Sequence, residues 1–206
     1  MHEKAINHLA NADRVMARLI KKVGPCALKP AKRQNPFVAL VSSVAYQQLN
    51  GTAAATILGR VKALYPKRDF PAPEDLLQTP DEKLRGAGLS RAKVAAIKDI
   101  AAKTLDGVVP ASRELARMDD AMILERLTTI RGVGPWTVEM LLIKLGRPDV
   151  LSATDYGLRQ GFALVYQQDE LPTPSELLTH GELWRPHRTV ASWYLWRAVD
   201  LVKEKK

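Results

Sequence analysis

The sequence has few of the residues that usually bind metals or form cross-links. Among 206 residues there is one cysteine, Cys26, and there are four histidines. A single cysteine can form neither a disulfide within the chain nor a four-cysteine iron–sulfur cluster. The histidines lack the mutual spacing of metal ligands: His2, His8, His180 and His187. A transition-metal mechanism is therefore not expected.

Long apolar runs are also absent. The chain has no stretch of about 18 consecutive apolar residues, so no membrane-spanning helix is predicted. The N-terminal segment "MHEKAINHLANADRVM" contains no apolar signal core, and its pattern is that of an amphipathic helix. The sequence predicts a protein that lies either in the cytoplasm, which in a bacterium includes the nucleoid, or in the nucleus.

Acidic residues are outnumbered by basic ones. The chain has 31 Lys and Arg against 22 Asp and Glu, which gives a net charge of +9. This excess suits a polyanionic partner such as nucleic acid, although solubility alone could also account for it. Arg91, Lys93 and Lys98, beside a Gly-rich turn, could face phosphates or simply form a solvated helix face.

Strand-like alternation is missing as well, and apolar residues recur at helical spacing nearly everywhere. Residues 94–105 show this pattern, and Ser90 is the predicted N-cap of their helix. Short Pro-rich breaks separate the helical segments. The prediction is an all-α protein of about ten helices. Residues of about 35–150 would form a central lobe, and residues 1–34 and 151–206 a second one.

One short segment, "TTIRGVGPWTVEM" at residues 128–140, has the pattern of a helix–hairpin–helix. Gly132 and Gly134 permit unusual backbone angles and leave room for another backbone. Pro135 suits the first position of the following helix. The free N–H groups at that helix N-terminus can bind an anion, for which a DNA phosphate is the natural guest. A plain tight turn is the alternative.

A second segment, "DVLSATDYGLRQGF", places Asp155 before an apolar helical pattern. From this segment alone, Asp155 or Thr154 is most simply an N-cap. A carboxylate held there could also stabilise an oxocarbenium-like transition state. Arg159, one turn further on, could neutralise Asp155, which would weaken the catalytic hypothesis.

Together, these two segments resemble the signature of the helix–hairpin–helix DNA glycosylases, in which a Gly/Pro-rich loop is followed by a final aspartate. The most similar branch is the 3-methyladenine DNA glycosylase II family, and the similarity extends from about residue 35 to residue 200. The resemblance implies a two-lobed, all-α glycosylase fold with the active-site cleft between the lobes. The extra N-terminal sheet domain of one well-known bacterial member is not expected, because the chain begins too close to the glycosylase core.

The resemblance assigns roles to the hairpin and to the final aspartate. Asp155 is the expected catalytic residue. The expected phosphate-binding positions are Gly132, Gly134 and Thr137. No organic cofactor is implied. In the family, hairpin carbonyls can hold a Na⁺ or K⁺ ion that bridges to the phosphate, and the matching positions are Thr128, Ile130 and Val133.

Trp136 occupies the position at which bifunctional relatives have a lysine that forms a Schiff base with the sugar. A tryptophan cannot form one, so the resemblance implies a monofunctional enzyme with water as the nucleophile. A core aromatic residue is the simpler explanation, and both can hold if one face of the ring packs while the other lines a pocket.

The segment "AYQQLNGTAAATI" contains an Asn50–Gly51 turn signal just after Leu49. From this segment alone, the apolar side chain of Leu49 is expected to be buried in the core. The resemblance instead matches Gln48 and Leu49 to the part that enters the minor groove and fills the gap left by an extruded nucleotide.

The resemblance also predicts a base pocket, formed by Trp136, Trp196, Tyr156 and Met140. Alkylated purines carry positive charge, and a cation stacks favourably on indole. Two positions are departures: Thr154 replaces a residue that is often acidic in the family, and Met140 stands where a well-known bacterial member has a tyrosine. These departures leave the range of lesions open.

The sequence thus predicts a monomeric, monofunctional DNA glycosylase of base excision repair. Its substrate would be damaged double-stranded DNA containing alkylated bases such as 3-methyladenine and 7-methylguanine. Two alternatives remain: a glycosylase of the same fold for a deaminated or oxidised base, and a non-catalytic DNA-binding module in which Asp155 only caps a helix.

Overall fold

The computed structural model describes residues 2–29, 35–49 and 51–204. In these residues every regular element is helical and none is a strand, so the predicted all-α class is confirmed. The helices are α1 (Glu3–Ala12), α2 (Arg14–Val23), α3 (Pro36–Tyr46), α4 (Gly51–Ala63), α5 (Pro73–Gln78), α6 (Asp81–Gly86), α7 (Arg91–Leu105), α8 (Ser112–Leu115), α9 (Asp120–Thr128), α10 (Pro135–Lys144), α11 (Tyr156–Tyr166), α12 (Pro174–Gly181) and α13 (Arg188–Lys203), with a 3₁₀ turn at Glu182–Trp184.

The described ranges contain more helices than the roughly ten predicted, because α5, α6 and α8 are only four to six residues long. Helices of that length show too few turns for a periodic pattern. No helix in the described ranges is long and apolar enough to cross a membrane. Asn50, part of the predicted Asn50–Gly51 turn, lies outside the described residues.

The chain divides into two compact units. The first unit comprises residues 1–31 and 142–206, and the second comprises residues 32–141. The division after residue 141 lies within α10. The predicted lobe bounds, near residues 35 and 150, stay a prediction. The hairpin segment lies in the second unit, and Asp155 lies in the first. The predicted cleft between the lobes stays a prediction.

In the first unit, α11 packs directly against α13. A Cβ atom added at Gly161 would lie 2.2 Å from the carbonyl oxygen of Leu195, so only glycine permits this approach. The surrounding core is apolar and closely packed. Its largest fully buried side chains include Leu9, Met16, Trp184 and Tyr194.

A buried carboxylate joins several helices of the first unit. Asp13 caps α2 by accepting the N–H of Met16 at 3.1 Å, and it also accepts hydrogen bonds from Tyr166, His180 and Trp184. Burial alone would raise the pKa of Asp13, but the hydrogen bonds from Tyr166 and its other donors outweigh burial and lower this pKa to about 2. Asp13 is thus a structural anion.

In the second unit, α3 is buried along most of its length and packs against α7 and α4. Asn35 caps α3 by accepting the Phe37 N–H at 3.0 Å, and Pro36 occupies the first turn. Ser90 caps α7 by accepting the Lys93 N–H at 3.3 Å, as predicted.

The close approach at Gly161 gives a stability prediction. Gly161→Ala should lower the free energy of unfolding by about 2 to 3 kcal/mol, because α11 and α13 must move apart. Gly59→Ala is the matched control, since a Cβ atom there meets nothing within 4 Å in α4 and alanine favours helix. Urea unfolding of both variants checks this, and equal stability would contradict the predicted clash.

Candidate active site

Asp155 is the N-cap of α11 and is half-buried. Its Oδ1 accepts the backbone N–H of Leu158 at 2.7 Å and the indole Nε1–H of Trp196 at 2.8 Å. The capping role considered from the sequence is therefore real, but a second donor reaches the same oxygen from α13. Two donors from different helices fix the orientation of the carboxylate, which a catalytic anion requires.

The segment that leads into Asp155 is held by the first turn of α13. Thr189 accepts the Val150 N–H at 2.9 Å and donates through Oγ1 to the Arg147 carbonyl at 2.7 Å. Arg188 binds both carboxylate oxygens of Asp149, at 2.8 and 3.1 Å. Sequence reasoning missed these contacts, although a bidentate Arg–Asp pair is among the stronger surface interactions.

The space beside the carboxylate is narrow. A Cβ atom added at Gly157 would lie 3.3 Å from Asp155 Oδ1 and 3.4 Å from Trp196 Cδ1, so glycine leaves room for this pair. Arg159, considered from the sequence as a neutralising neighbour, donates through Nε to the Pro172 carbonyl at 2.6 Å. Its side chain is therefore engaged at the loop before α12.

The predicted pocket residues belong to two separate groups. In the first unit, Trp196 donates its hydrogen bond to the Asp155 carboxylate, and Tyr156 follows Asp155 directly and is 65% exposed. Trp136 and Met140 are partly buried in α10 of the second unit, one helical turn apart and so on one face. The pocket roles of all four residues stay predictions.

In the second unit, the hairpin uses its two glycines differently. Gly132 has φ +75°, and a Cβ atom there would lie 2.6 Å from the Cβ of Ala96 on α7, so both backbone and space require glycine. Gly134 has neither restriction, because an added Cβ atom meets nothing within 4 Å. The missing side chain at Gly134 instead leaves open space beside the N-terminus of α10.

That open space contains suitable anion donors. In residues 2–29, 35–49 and 51–204, no acceptor meets the backbone N–H of Gly132 or Gly134. Pro135 occupies the first position of α10, and the Thr137 N–H turns back to the Gly134 carbonyl at 3.0 Å. Two available N–H groups beside a helix N-terminus are a typical anion site.

Thr137 has a structural contact within the hairpin. The residue is 1% exposed, and its hydroxyl accepts a hydrogen bond from the amide of Gln47 at 3.0 Å. The same amide nitrogen donates to the Gly132 carbonyl at 3.0 Å. Sequence reasoning did not single out Gln47, and the phosphate contact of Thr137 stays a prediction.

The predicted wedge lies at the end of α3. Leu49 is 39% exposed instead of tucked into the core, which is the location that a wedge needs. Gln48 has φ +56°, a left-handed conformation that residues other than glycine rarely adopt. Their insertion into DNA stays a prediction.

Two of the basic side chains on α7 are bound to other groups of the protein. The ammonium of Lys93 donates to the carbonyls of Ala45 and Gln47, and Lys98 pairs with Asp81 at 2.5 Å. Of the three basic residues considered from the sequence, these two have internal partners, whereas Arg91 is exposed. Among the described side chains, no three His, Cys, Asp or Glu residues cluster in a way that could hold a metal.

Comparison with known proteins agrees with this geometry. Residues 41–186 match the family described as HhH-GPD superfamily base excision DNA repair protein. The chain is 38% identical over 205 residues to the DNA-3-methyladenine glycosylase 1 of Schizosaccharomyces pombe, covering 98% of this chain and 90% of that protein.

Two solved structures are similar over nearly the whole chain. The 3-methyladenine DNA glycosylase of S. pombe in complex with abasic DNA has a TM-score of 0.88 and 38% identity, covering 94% of this chain and 95% of that one. The DNA-3-methyladenine glycosidase of Bacillus halodurans has a TM-score of 0.84 and 37% identity, covering 98% and 91%. This chain belongs to the HhH-GPD superfamily of base excision DNA repair proteins, and the predicted resemblance is confirmed.

The different uses of the two glycines give a second prediction. Gly134→Ala should fold normally and weaken duplex DNA binding about tenfold, because the methyl group enters the space that a phosphate would occupy. Gly132→Ala should instead lower thermal stability, because it clashes with Ala96. Thermal melting and fluorescence anisotropy with duplex DNA separate the two effects, and unchanged affinity in Gly134→Ala would contradict the anion site.

Proposed function

We propose that this chain is a monofunctional DNA glycosylase that hydrolyses the N-glycosidic bond of alkylated purines in double-stranded DNA. The observation that carries the proposal is the oriented carboxylate of Asp155, held by the Leu158 N–H and the Trp196 indole. Sequence similarity to named 3-methyladenine DNA glycosylases supports the substrate class. We propose that it acts as a monomer, at the nucleoid or in the nucleus, where a DNA substrate would be found.

The main requirement of the reaction is stabilisation of the positive charge that develops on the deoxyribose. The bond between C1′ and the base nitrogen breaks, its electron pair leaves with the base, and a cationic alkylated purine departs as a neutral molecule. The deoxyribose is left with an oxocarbenium-like charge, which the Asp155 carboxylate stabilises. Water then bonds to C1′ and loses a proton to Asp155 or to solvent, which yields an abasic site.

The identity of Trp136 determines the outcome after base release. A lyase of this class needs an amine that attacks the sugar, whereas an indole nitrogen is not nucleophilic in this way. The proposal therefore ends at an uncut abasic strand. Trp136 and Trp196 would contribute aromatic faces for a positively charged base.

DNA binding is assigned to the second unit. The N–H groups of Gly132 and Gly134 would hold one phosphate, with Thr137 nearby. Leu49 and Gln48 would fill the space that an extruded nucleotide leaves. The net charge of +9 strengthens attraction to the duplex without reading its sequence.

A monovalent cation fits the hairpin chemically. Backbone carbonyls are the oxygen ligands that K⁺ and Na⁺ accept. At the proposed site, the Ile130 carbonyl accepts one hydrogen bond, from Val133 at 3.1 Å, and a carbonyl has a second lone pair. The carbonyls of Thr128, Ile130 and Val133 would hold the ion, which would add positive charge beside the phosphate. No organic cofactor is proposed.

The proposal is tested by Asp155→Asn. Asparagine keeps the shape and a capping oxygen but loses the negative charge, so single-turnover base release should fall at least about 100-fold. Affinity for a duplex with a tetrahydrofuran abasic-site analogue should stay within about twofold. The assay measures free base released from duplexes that contain 7-methylguanine or 3-methyladenine.

The matched control is Asp169→Asn, which removes an exposed carboxylate beyond α11. Undiminished release in Asp155→Asn would contradict the catalytic role. A wild-type protein that binds DNA but releases no base from any lesion duplex would favour the non-catalytic module. Release only from further duplexes that contain a deaminated or an oxidised base, with none from the alkylated ones, would favour a glycosylase of the same fold for another lesion.

A further inference from the structure

The amide of Gln47 joins the wedge turn to the hairpin. An amide nitrogen has two hydrogens. In Gln47 one is directed to the Gly132 carbonyl and the other to the Thr137 hydroxyl, both at 3.0 Å. These acceptors precede and follow Gly134 in the sequence, so a single side chain from the end of α3 contacts both the hairpin and the first turn of α10.

Lys93, on α7, contacts the same turn. Its ammonium donates to the carbonyls of Ala45 and Gln47 at 2.9 and 2.8 Å, at the end of α3. A cation at a helix C-terminus satisfies carbonyls that the helix cannot and complements its dipole. Burial lowers the pKa of Lys93, which agrees with an ammonium partly removed from water.

The backbone conformation of Gln48 requires support from neighbouring residues. It follows Gln47 directly and has φ +56°, whereas the turn that contains it is exposed. An exposed turn in an unusual backbone conformation persists only if its surroundings determine it. The backbone N–H of Gln47 is bound within its own helix end, to the carbonyls of Ser43 and Val44. The side chain of Gln47 and the ammonium of Lys93 add contacts to other elements of the second unit, the hairpin and α7.

We propose that Gln47 and Lys93 are positioning residues that hold the Gln48–Leu49 turn at a fixed distance from the Gly132–Gly134 hairpin. The turn and the hairpin then engage one base step and one phosphate of the duplex together. A preorganised pair of contacts avoids the entropy cost of ordering the turn on binding. This inference rests on the proposed function, because it concerns DNA from which a nucleotide is extruded.

The central test uses Gln47→Met, which keeps a neutral side chain of similar length and removes both donors. Affinity for a duplex with a tetrahydrofuran abasic-site analogue should fall roughly tenfold, since two hydrogen bonds to the hairpin are lost. Affinity for undamaged duplex should be unchanged, because it depends on phosphate charge. Gln78→Met, at the exposed end of α5, is the matched control.

Lys93→Met should produce the same selective loss. Because the ammonium is bound to carbonyls, its removal should leave the salt dependence of duplex binding unchanged, whereas loss of a phosphate contact would reduce that slope by about one. Lys103→Met removes an equal charge from α7, where Lys103 pairs with Asp106 at 3.7 Å. This control should bind the abasic-site duplex like the wild type.

A double-variant comparison separates positioning from general stability. If Gln47 acts through the wedge, Gln47→Met should cost little further affinity in a Leu49→Ala background. Additive losses, or an equal loss on undamaged and abasic-site duplexes, would overturn the proposal. Gln47→Asn keeps the amide but is one methylene too short, so it provides a second variant if Gln47→Met fails to fold.

The outcomes for the two proposals are distinguishable. If the wild type releases alkylated bases and the variants at Gln47 and Lys93 match it in every assay, only the positioning role is wrong. If the wild type releases no base, the proposed function fails, and the selective binding of abasic-site duplex still decides whether Gln47 positions the turn.

Discussion

The candidate site depends on the hydrogen bonds that hold the Asp155 carboxylate between two helices. Leu158 donates from the first turn of α11, and Trp196 donates from the side of α13. These two donors can reach one oxygen only because α11 and α13 approach closely, which the bare backbone of Gly161 permits. The packing at Gly161 and the placement of the Asp155 carboxylate are therefore parts of one arrangement.

The hairpin also depends on its glycines. Gly132 is required by its backbone angle and by Ala96, whereas among the described residues nothing lies within 4 Å of a Cβ atom added at Gly134. A glycine without an internal reason is best explained by something that approaches from outside. The available N–H groups beside it, the basic charge of the chain and the exposed turn at Leu49 all agree with a duplex as that partner.

The sequence predicted those features that are encoded locally. Helical spacing gave the all-α class, glycine and proline marked the hairpin, and a polar residue before an apolar pattern placed Asp155 at a helix N-terminus. The contacts of Gln47, Lys93 and Thr189 were not predicted, because each joins residues roughly 40 to 90 positions apart. Such partners are set by how helices pack, and a single sequence contains no local signal for them.

The most direct test of the central claim is Trp196→Phe, which keeps an aromatic ring and removes the N–H that binds Asp155. The single-turnover rate of base release should fall about tenfold or more, with affinity for the abasic-site duplex nearly unchanged, because the carboxylate loses the donor that α13 provides. Trp193→Phe on the same helix controls for loss of indole packing. A Trp196→Phe enzyme that releases alkylated bases at the wild-type rate would contradict the account.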